Sequence, residues 1–124
     1  MLSRRFAMIL GVFLLIEGVW GFFSPIVFGV LSTNTLHACI HIVLGAIGIW
    51  AGRSGAARNY LLGVGGLLLL VGILRFVPGA SDLVVSLLNV NVAVGYFNIA
   101  VGLISVLIGF SAPKTVAAAA PPAV

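Results

Sequence analysis

Two histidines and one acid stand out because they lie inside long apolar segments. His37 and His41 are four residues apart, so in a helix they share one face, with a spacing that lets two histidines hold one metal ion. Zinc commonly takes four ligands, or three and a water, and Glu17 is the only obvious third ligand. A bis-histidine haem would need histidines from different helices or from two subunits. We therefore predict no metal site and no cofactor, with His37 and His41 as the only candidate ligands.

Five polar residues are predicted to converge at one depth of the membrane: Glu17, His37, His41, Arg75 and Asn98. Glu17 and His41 each lie about 8–9 Å below the same interface, at about 1.5 Å per helical residue. An unpaired charge near mid-bilayer costs about 2.5–3.5 kcal/mol, so these side chains should face one another rather than lipid. We expect Glu17 to contact His41 or Arg75. Such a contact either fixes the helix register or forms a site for a ligand, proton or metal.

The composition identifies the environment of these residues. The 124-residue chain is 62% hydrophobic and 6% charged, whereas an ordinary soluble domain is about 25% charged. A soluble domain of this size could not bury so much apolar surface. Intrinsic disorder and a disulfide-stapled fold are also excluded for most of the chain, since Cys39 is the only cysteine. The sequence therefore predicts an integral membrane protein whose first partner is the lipid bilayer.

No arrangement of residues predicts a reaction or nucleic-acid binding. The sequence has no nucleophile–base pair, phosphate-binding glycine loop or pair of catalytic carboxylates. The net charge of +4 comes from scattered residues, whereas nucleic-acid binding needs a clustered basic face. We therefore predict that the protein is not an enzyme, has no catalytic residues and binds no nucleic acid.

Four apolar segments, about 6–23, 36–52, 59–77 and 92–110, are bounded by residues that end or cap helices. Each approaches the roughly 17–25 residues that a helix needs to cross a bilayer. The segments are too long, and alternate too little, for the strands of a membrane barrel. We predict an all-α fold, a four-helix transmembrane bundle in one domain over 1–111. A disordered Ala/Pro-rich tail is predicted over 112–124.

The basic residues predict the orientation in the membrane. Five of the six fall on one side of a four-span chain: Arg4, Arg5, Arg53, Arg58 and Lys114. The positive-inside rule then places both termini in the cytoplasm, in a multi-pass protein of the bacterial cytoplasmic (inner) membrane. Trp50 and Tyr60 are expected at the cytoplasmic interface, and Trp20 and Tyr96 at the opposite one.

The chain repeats itself with an offset of 57 positions. Asn34, His41 and Gly45 align with Asn91, Asn98 and Gly102. Unless this similarity is due to chance, each repeat is a two-helix hairpin, and both hairpins enter the membrane from the same side. Such a parallel repeat implies a pseudo-two-fold axis along the membrane normal.

Glycines recur at seven-residue intervals in the predicted helices. Because seven residues make about two turns, each series lies on one helix face and allows close packing of backbones. The predicted helix-packing glycines are Gly11, Gly18, Gly45, Gly48, Gly52, Gly65, Gly72, Gly95, Gly102 and Gly109. The Gly48-x-x-x-Gly52 pair could also serve a homodimer.

The segment from Asn34 to Gly48, NTLHACIHIVLGAIG, followed by a glycine-rich third helix, resembles a known family. It is similar to small bacterial four-helix membrane proteins of the domain-of-unknown-function family numbered 4383, over about residues 6–110. In that family the fourth helix often carries Asp-Asn-x-x-His, whereas the corresponding positions here are Val94, Gly95 and Asn98. The resemblance implies a membrane location and a four-helix architecture, and it implies no chemistry.

Two functional hypotheses follow. The first is a non-enzymatic accessory or assembly component of the membrane, with a second copy or other membrane proteins as partners. The alternative is a small-ligand, haem/metal or proton-handling membrane protein that uses a Glu17/His37/His41 cluster. A cavity bounded by these residues would favour the alternative, and a closed cluster with every group paired would favour the first hypothesis.

Overall fold

A computed structural model describes residues 2–112 of the chain. It contains five helices: α1 (Leu2–Phe23), α2 (Thr35–Ser54), α3 (Ala57–Leu74), α4 (Ala80–Leu88) and α5 (Val92–Ser111). Four of them, α1, α2, α3 and α5, are 18 to 22 residues long and apolar enough to cross a membrane. This confirms the all-α, four-span prediction. Apart from Ala112, the predicted tail lies outside the described residues.

The two longer connections between the predicted spans, 24–35 and 78–91, hold additional structure. The first contains the antiparallel strands β1 (Ile26–Val27) and β2 (Leu31–Ser32), and the second contains α4. The third span is shorter than predicted, because α3 ends at Leu74 and the chain continues as a tightened turn with a bond from the Phe76 N–H to the Ile73 carbonyl. Pro78 lacks a backbone donor and restricts the residue before it, so a regular helix cannot continue through this point.

Both repeats begin their second long helix in the same way. The Asn34 side chain accepts a 2.9 Å hydrogen bond from the His37 N–H, and the Asn91 side chain accepts a 2.8 Å bond from the Val94 N–H. An asparagine at this position satisfies one of the free N–H groups of the first helical turn. The repeat in the sequence is therefore also a repeat of local structure.

The long helices form two tightly packed pairs, α1 with α2 and α3 with α5. A Cβ atom added at Gly11 would lie 2.7 Å from the Gly45 carbonyl oxygen. One added at Gly65 would lie 3.0 Å from the Gly102 carbonyl oxygen. Because Gly45 and Gly102 are 57 residues apart, the same backbone contact occurs in both halves. The structure thus contains the two parallel-repeat hairpins that the sequence predicts.

All ten predicted helix-packing glycines lie against a neighbouring element. At each of them an added Cβ would approach another atom to 3.0 Å or closer. Gly48 faces the Tyr60 hydroxyl, and Gly52 faces Met8 and the Arg4 carbonyl. These two glycines are therefore occupied within the chain, so the suggested use of Gly48-x-x-x-Gly52 in a homodimer is wrong.

The two connections tie the halves together at one end of the bundle, here called the connection end. The Asn34 amide donates to the Leu87 carbonyl, and the Asn91 amide donates to the Val30 carbonyl, both at 2.9 Å. These bonds are equivalent under the 57-residue offset. Ser32 adds a further link, since its hydroxyl donates to the Asn89 carbonyl. Each connection is therefore held by the asparagine that caps a long helix of the other half.

Two apolar cores divide the bundle. The core near the chain termini joins α1, α2 and α3 and consists of Ala7, Leu10, Leu14, Ala51, Ala57, Tyr60, Leu61, Val64 and Leu68. The core at the connection end consists of Val27, Leu31, Val84, Val90 and Val94.

Tyr60 was expected at the cytoplasmic membrane interface, but it is buried and donates a 2.8 Å hydrogen bond to the Leu44 carbonyl in the space that Gly48 leaves. Its ring, in the first turn of α3, therefore faces other helices rather than lipid, whereas Trp20, Trp50 and Tyr96 are exposed.

Two helical glycines with contrasting surroundings, Gly102 in α5 and Gly66 in α3, provide a test of the packing. We expect Gly102→Ala to lower the free energy of unfolding by about 1–3 kcal/mol, because the new Cβ would lie 2.6 Å from the Leu69 backbone nitrogen. Gly66→Ala enters open space and should be neutral or stabilising by up to about 1 kcal/mol, through helix propensity. Reversible unfolding in mixed detergent, followed by tryptophan fluorescence, measures both. Equal tolerance of the two substitutions would contradict the packing assignment.

Candidate functional site

Four of the five predicted cluster residues are buried inside the bundle. Glu17 comes from α1, His37 and His41 come from α2, and Asn98 comes from α5. Their side chains are turned away from lipid, since none of these residues is more than 5% exposed. The high cost of placing polar groups in hydrocarbon explains this orientation.

Glu17 and His41 form the closest contact of the site. Their Oε1 and Nδ1 atoms are 3.0 Å apart. The neighbouring residue Gly18 allows this approach, because a Cβ there would lie 2.8 Å from the Ala38 carbonyl oxygen of α2. Despite this short distance, the buried Oε1 atom has no hydrogen-bond partner among the described residues. The two groups are thus a close pair whose hydrogen bond is incomplete.

His37 is held by the second connection. Its Nδ1 lies 3.0 Å from the Leu88 carbonyl oxygen, and its ring centroid lies 4.3 Å from that of His41 in an edge-on arrangement. A carbonyl oxygen only accepts hydrogen bonds, so the contact assigns the hydrogen of the neutral ring to Nδ1. The Nε2 atom of His37 then carries a lone pair. A chain of contacts runs from α1 through the two histidines to the end of α4.

Arg75 does not join the cluster. Its Nε donates a 2.8 Å bond to the Val90 carbonyl, and its Nη1 donates a 3.2 Å bond to the Ser81 hydroxyl. Because α3 ends at Leu74, Arg75 faces the connection that follows rather than the interior of the bundle. Both the predicted convergence of Arg75 with the other four residues and the alternative Glu17–Arg75 contact are therefore wrong.

A cavity of about 70 Å³ adjoins the two histidines. Asn98 also lines it, and by the repeat Asn98 occupies the position of His41 in the other half. The remaining walls are apolar: Ile40, Leu44, Leu67, Leu68, Val71 and Leu88. Equivalent glycine contacts align α1 with α3 at an offset of 54, so Val71 occupies the position of Glu17. One half of the protein therefore carries Glu and His where the other carries Val and Asn.

Several partners at the site could not be identified from residue types. The Leu88 and Leu44 carbonyl groups bind His37 and Tyr60, but a backbone carbonyl carries no sequence signal. Within residues 2–112, no group of three or more His, Cys, Asp and Glu side chains is gathered as a metal-ion site. Cys39, the one cysteine, is exposed and does not line the cavity.

Comparison with protein families gives one match. The family described as "Domain of unknown function (DUF4383)" matches residues 4–111, nearly all of the described chain. No curated protein and no solved structure matches the chain.

The two halves suggest a substitution test of the Glu17–His41 pair. We expect Glu17→Val or His41→Asn alone to destabilise the protein by about 1–3 kcal/mol, because each removes the close polar neighbour of a buried polar group. The double variant copies the Val71 and Asn98 combination, so it should lose less stability than the sum of the single variants. The free energies of unfolding of the intact protein and the three variants, measured in detergent, give the coupling energy between the two side chains.

The control is Ile16→Leu on the exposed face of α1, which should leave the free energy of unfolding nearly unchanged. Additive losses in the double variant would show that the two side chains do not stabilise each other.

Proposed function

The chain belongs to the DUF4383 family, and from this premise we propose that it is a non-enzymatic accessory or assembly component of the bacterial cytoplasmic membrane. The family description supplies a membership and no activity. Support for the accessory role therefore comes from which side chains are exposed and which are buried.

The distribution of polar and apolar groups carries the proposal. The intramembrane acid and both histidines are buried, while large apolar side chains are exposed along every long helix. Examples are Ile9 and Ile16 on α1, Val43 and Ile47 on α2, Leu70 and Ile73 on α3, and Leu103 and Leu107 on α5. Such an exterior suits lipid and the helices of other membrane proteins.

The size of the interior cavity supports a role without a bulky ligand. Pockets for cofactors and drug-sized ligands are typically about 300–1,000 Å³, whereas the cavity beside the histidines is about 70 Å³. Haem or a quinone would not fit there without separation of the helices. Two larger depressions, of about 410 and 480 Å³, are open to the surface, and neither includes a residue of the polar cluster.

Native gel electrophoresis of membranes solubilised in mild detergent tests the accessory role. We expect the tagged full-length chain to migrate in an assembly larger than the chain itself, and deletion of its gene to reduce the amount of that assembly. The reason is that the apolar side chains exposed along all four long helices can pack against the helices of other membrane proteins.

Gly66→Ala, which fills open space, is the control and should restore the assembly in the deletion strain. Migration as a single chain, together with unchanged membrane complexes in the deletion strain, would overturn the accessory role.

We further propose that both termini face the cytoplasm. Arg4 donates hydrogen bonds to the Gly52 carbonyl at 3.0 Å and to the Arg53 carbonyl at 2.9 Å, so basic residues of α1 and α2 meet at one end of the bundle. The positive-inside rule supports a cytoplasmic location for this end.

Cysteine labelling in intact cells tests the orientation. In a Cys39→Ser background, a membrane-impermeant maleimide should label Ser86→Cys, on α4, and not Ser54→Cys, at the end of α2. Ser54→Cys should become reactive once the membrane is permeabilised. The reverse pattern would place the termini outside.

A further inference from the structure

We propose that His37 and His41 bind one transition-metal ion of the Zn²⁺ and Cu²⁺ class through their Nε2 atoms, in the cavity between α2, α3 and α5. The proposal is independent of the accessory role, since it concerns the isolated chain. It rests on the hydrogen-bond partners of the two rings, their spacing, the cavity beside them and the local charge.

On each ring Nδ1, the nitrogen that does not bind the proposed metal, has the kind of partner that a metal-binding histidine usually has. Metal-ligating histidines almost always donate the other ring N–H to a carboxylate or a backbone carbonyl. Here Nδ1 of His41 lies 3.0 Å from the Glu17 carboxylate, and Nδ1 of His37 lies 3.0 Å from the Leu88 carbonyl oxygen. Neither Nε2 forms a hydrogen bond with a residue that the structure describes.

The incomplete Glu17–His41 contact fits the same arrangement. Glu17 Oε1 is buried without a hydrogen-bond donor among the described side chains and backbone groups. Coordination of a metal at Nε2 holds the hydrogen of His41 on Nδ1, which is the atom next to Oε1. With its hydrogen on Nδ1, the ring becomes a donor next to Oε1, so metal binding supplies the buried carboxylate with a hydrogen-bond partner.

The spacing of the rings suits two ligands of one ion. With metal–nitrogen bonds of about 2.0–2.1 Å and an angle of roughly 90–110° at the metal, the ring centroids would be about 4.5–5 Å apart. The observed separation is 4.3 Å, and His37 and His41 follow each other by one helical turn. The separation of the rings is therefore compatible with two ligands of one ion.

The cavity provides room for the remaining ligands. One water occupies about 30 Å³ in the liquid, so a cavity of about 70 Å³ has space beside the histidines for water ligands. The Asn98 side chain lines the same space and offers a carbonyl oxygen and an amide to the ion or its water. Two imidazoles favour zinc, copper or nickel over magnesium or calcium, which prefer oxygen ligands.

The local charge favours a cation. Glu17 is the acid at the site, and the other acid of the chain, Asp82, is exposed on α4. The nearest predicted cation, Arg75, is directed to Val90 and Ser81 instead. A bound cation would therefore be compensated by the buried carboxylate without an opposing guanidinium in the cluster.

Zn²⁺ binding to the purified full chain, prepared without a histidine tag, tests the site by isothermal titration calorimetry. We expect one Zn²⁺ per chain, and a loss of affinity of at least about 100-fold in His37→Ala and in His41→Asn. Glu17→Gln should retain the stoichiometry and lose about 10- to 100-fold in affinity, the usual effect of removing a partner of a ligating histidine. Cys39→Ser, which removes the exposed thiol between the histidines, is the matched control and should bind normally.

A second measurement, the melting temperature, distinguishes a loss of metal binding from a loss of folding. Zn²⁺ should raise the melting temperature of the intact protein and of Cys39→Ser, and leave that of folded His41→Asn unchanged. Electron paramagnetic resonance of the Cu²⁺-loaded protein should show two coordinated imidazole nitrogens. Absence of binding by the folded intact chain, undiminished binding by a His37→Ala/His41→Asn double variant, or loss of binding in Cys39→Ser would overturn the proposal.

Discussion

Contact between helix backbones at glycine is the constraint on which the rest of this structure depends. Lipid removes the hydrophobic driving force for pairing apolar helices, so close packing must hold them together. Gly11 against Gly45, and Gly65 against Gly102, bring the backbones close enough for this. The same approach brings Glu17 Oε1 on α1 to 3.0 Å from His41 Nδ1 on α2. Packing and polar chemistry therefore have one cause.

The backbone of the protein is nearly symmetric, whereas its polar interior is not. Both halves use equivalent glycine contacts, asparagine caps and links to the opposite connection. Yet the first half places Glu17 and His41 where the second places Val71 and Asn98. Since the second half pairs its helices without an acid and a histidine, the fold as such does not require them. This argues for a role beyond helix register, and a metal site is the role that we propose.

The buried contacts also connect elements that are distant in sequence. Glu17 contacts His41, His41 packs edge-on with His37, and the ring of His37 binds the end of α4. In a surrounding of low dielectric such polar contacts are strong, and an unpaired member is costly. A substitution at the cavity therefore affects the contacts of both α1 and the connection before α5.

The sequence by itself determined the membrane class, the four spans, the repeat, the packing glycines and a short list of partners for Glu17. These follow from composition and from periods of a few residues, which are local properties. Only the tertiary structure decided among the partners: His41 pairs with Glu17, while Arg75 turns away because α3 ends one residue before it. The burial of Tyr60, the cavity and the Leu88 carbonyl contact were also beyond the sequence. They depend on where helices end and how they are rotated against one another, which contacts between distant segments set.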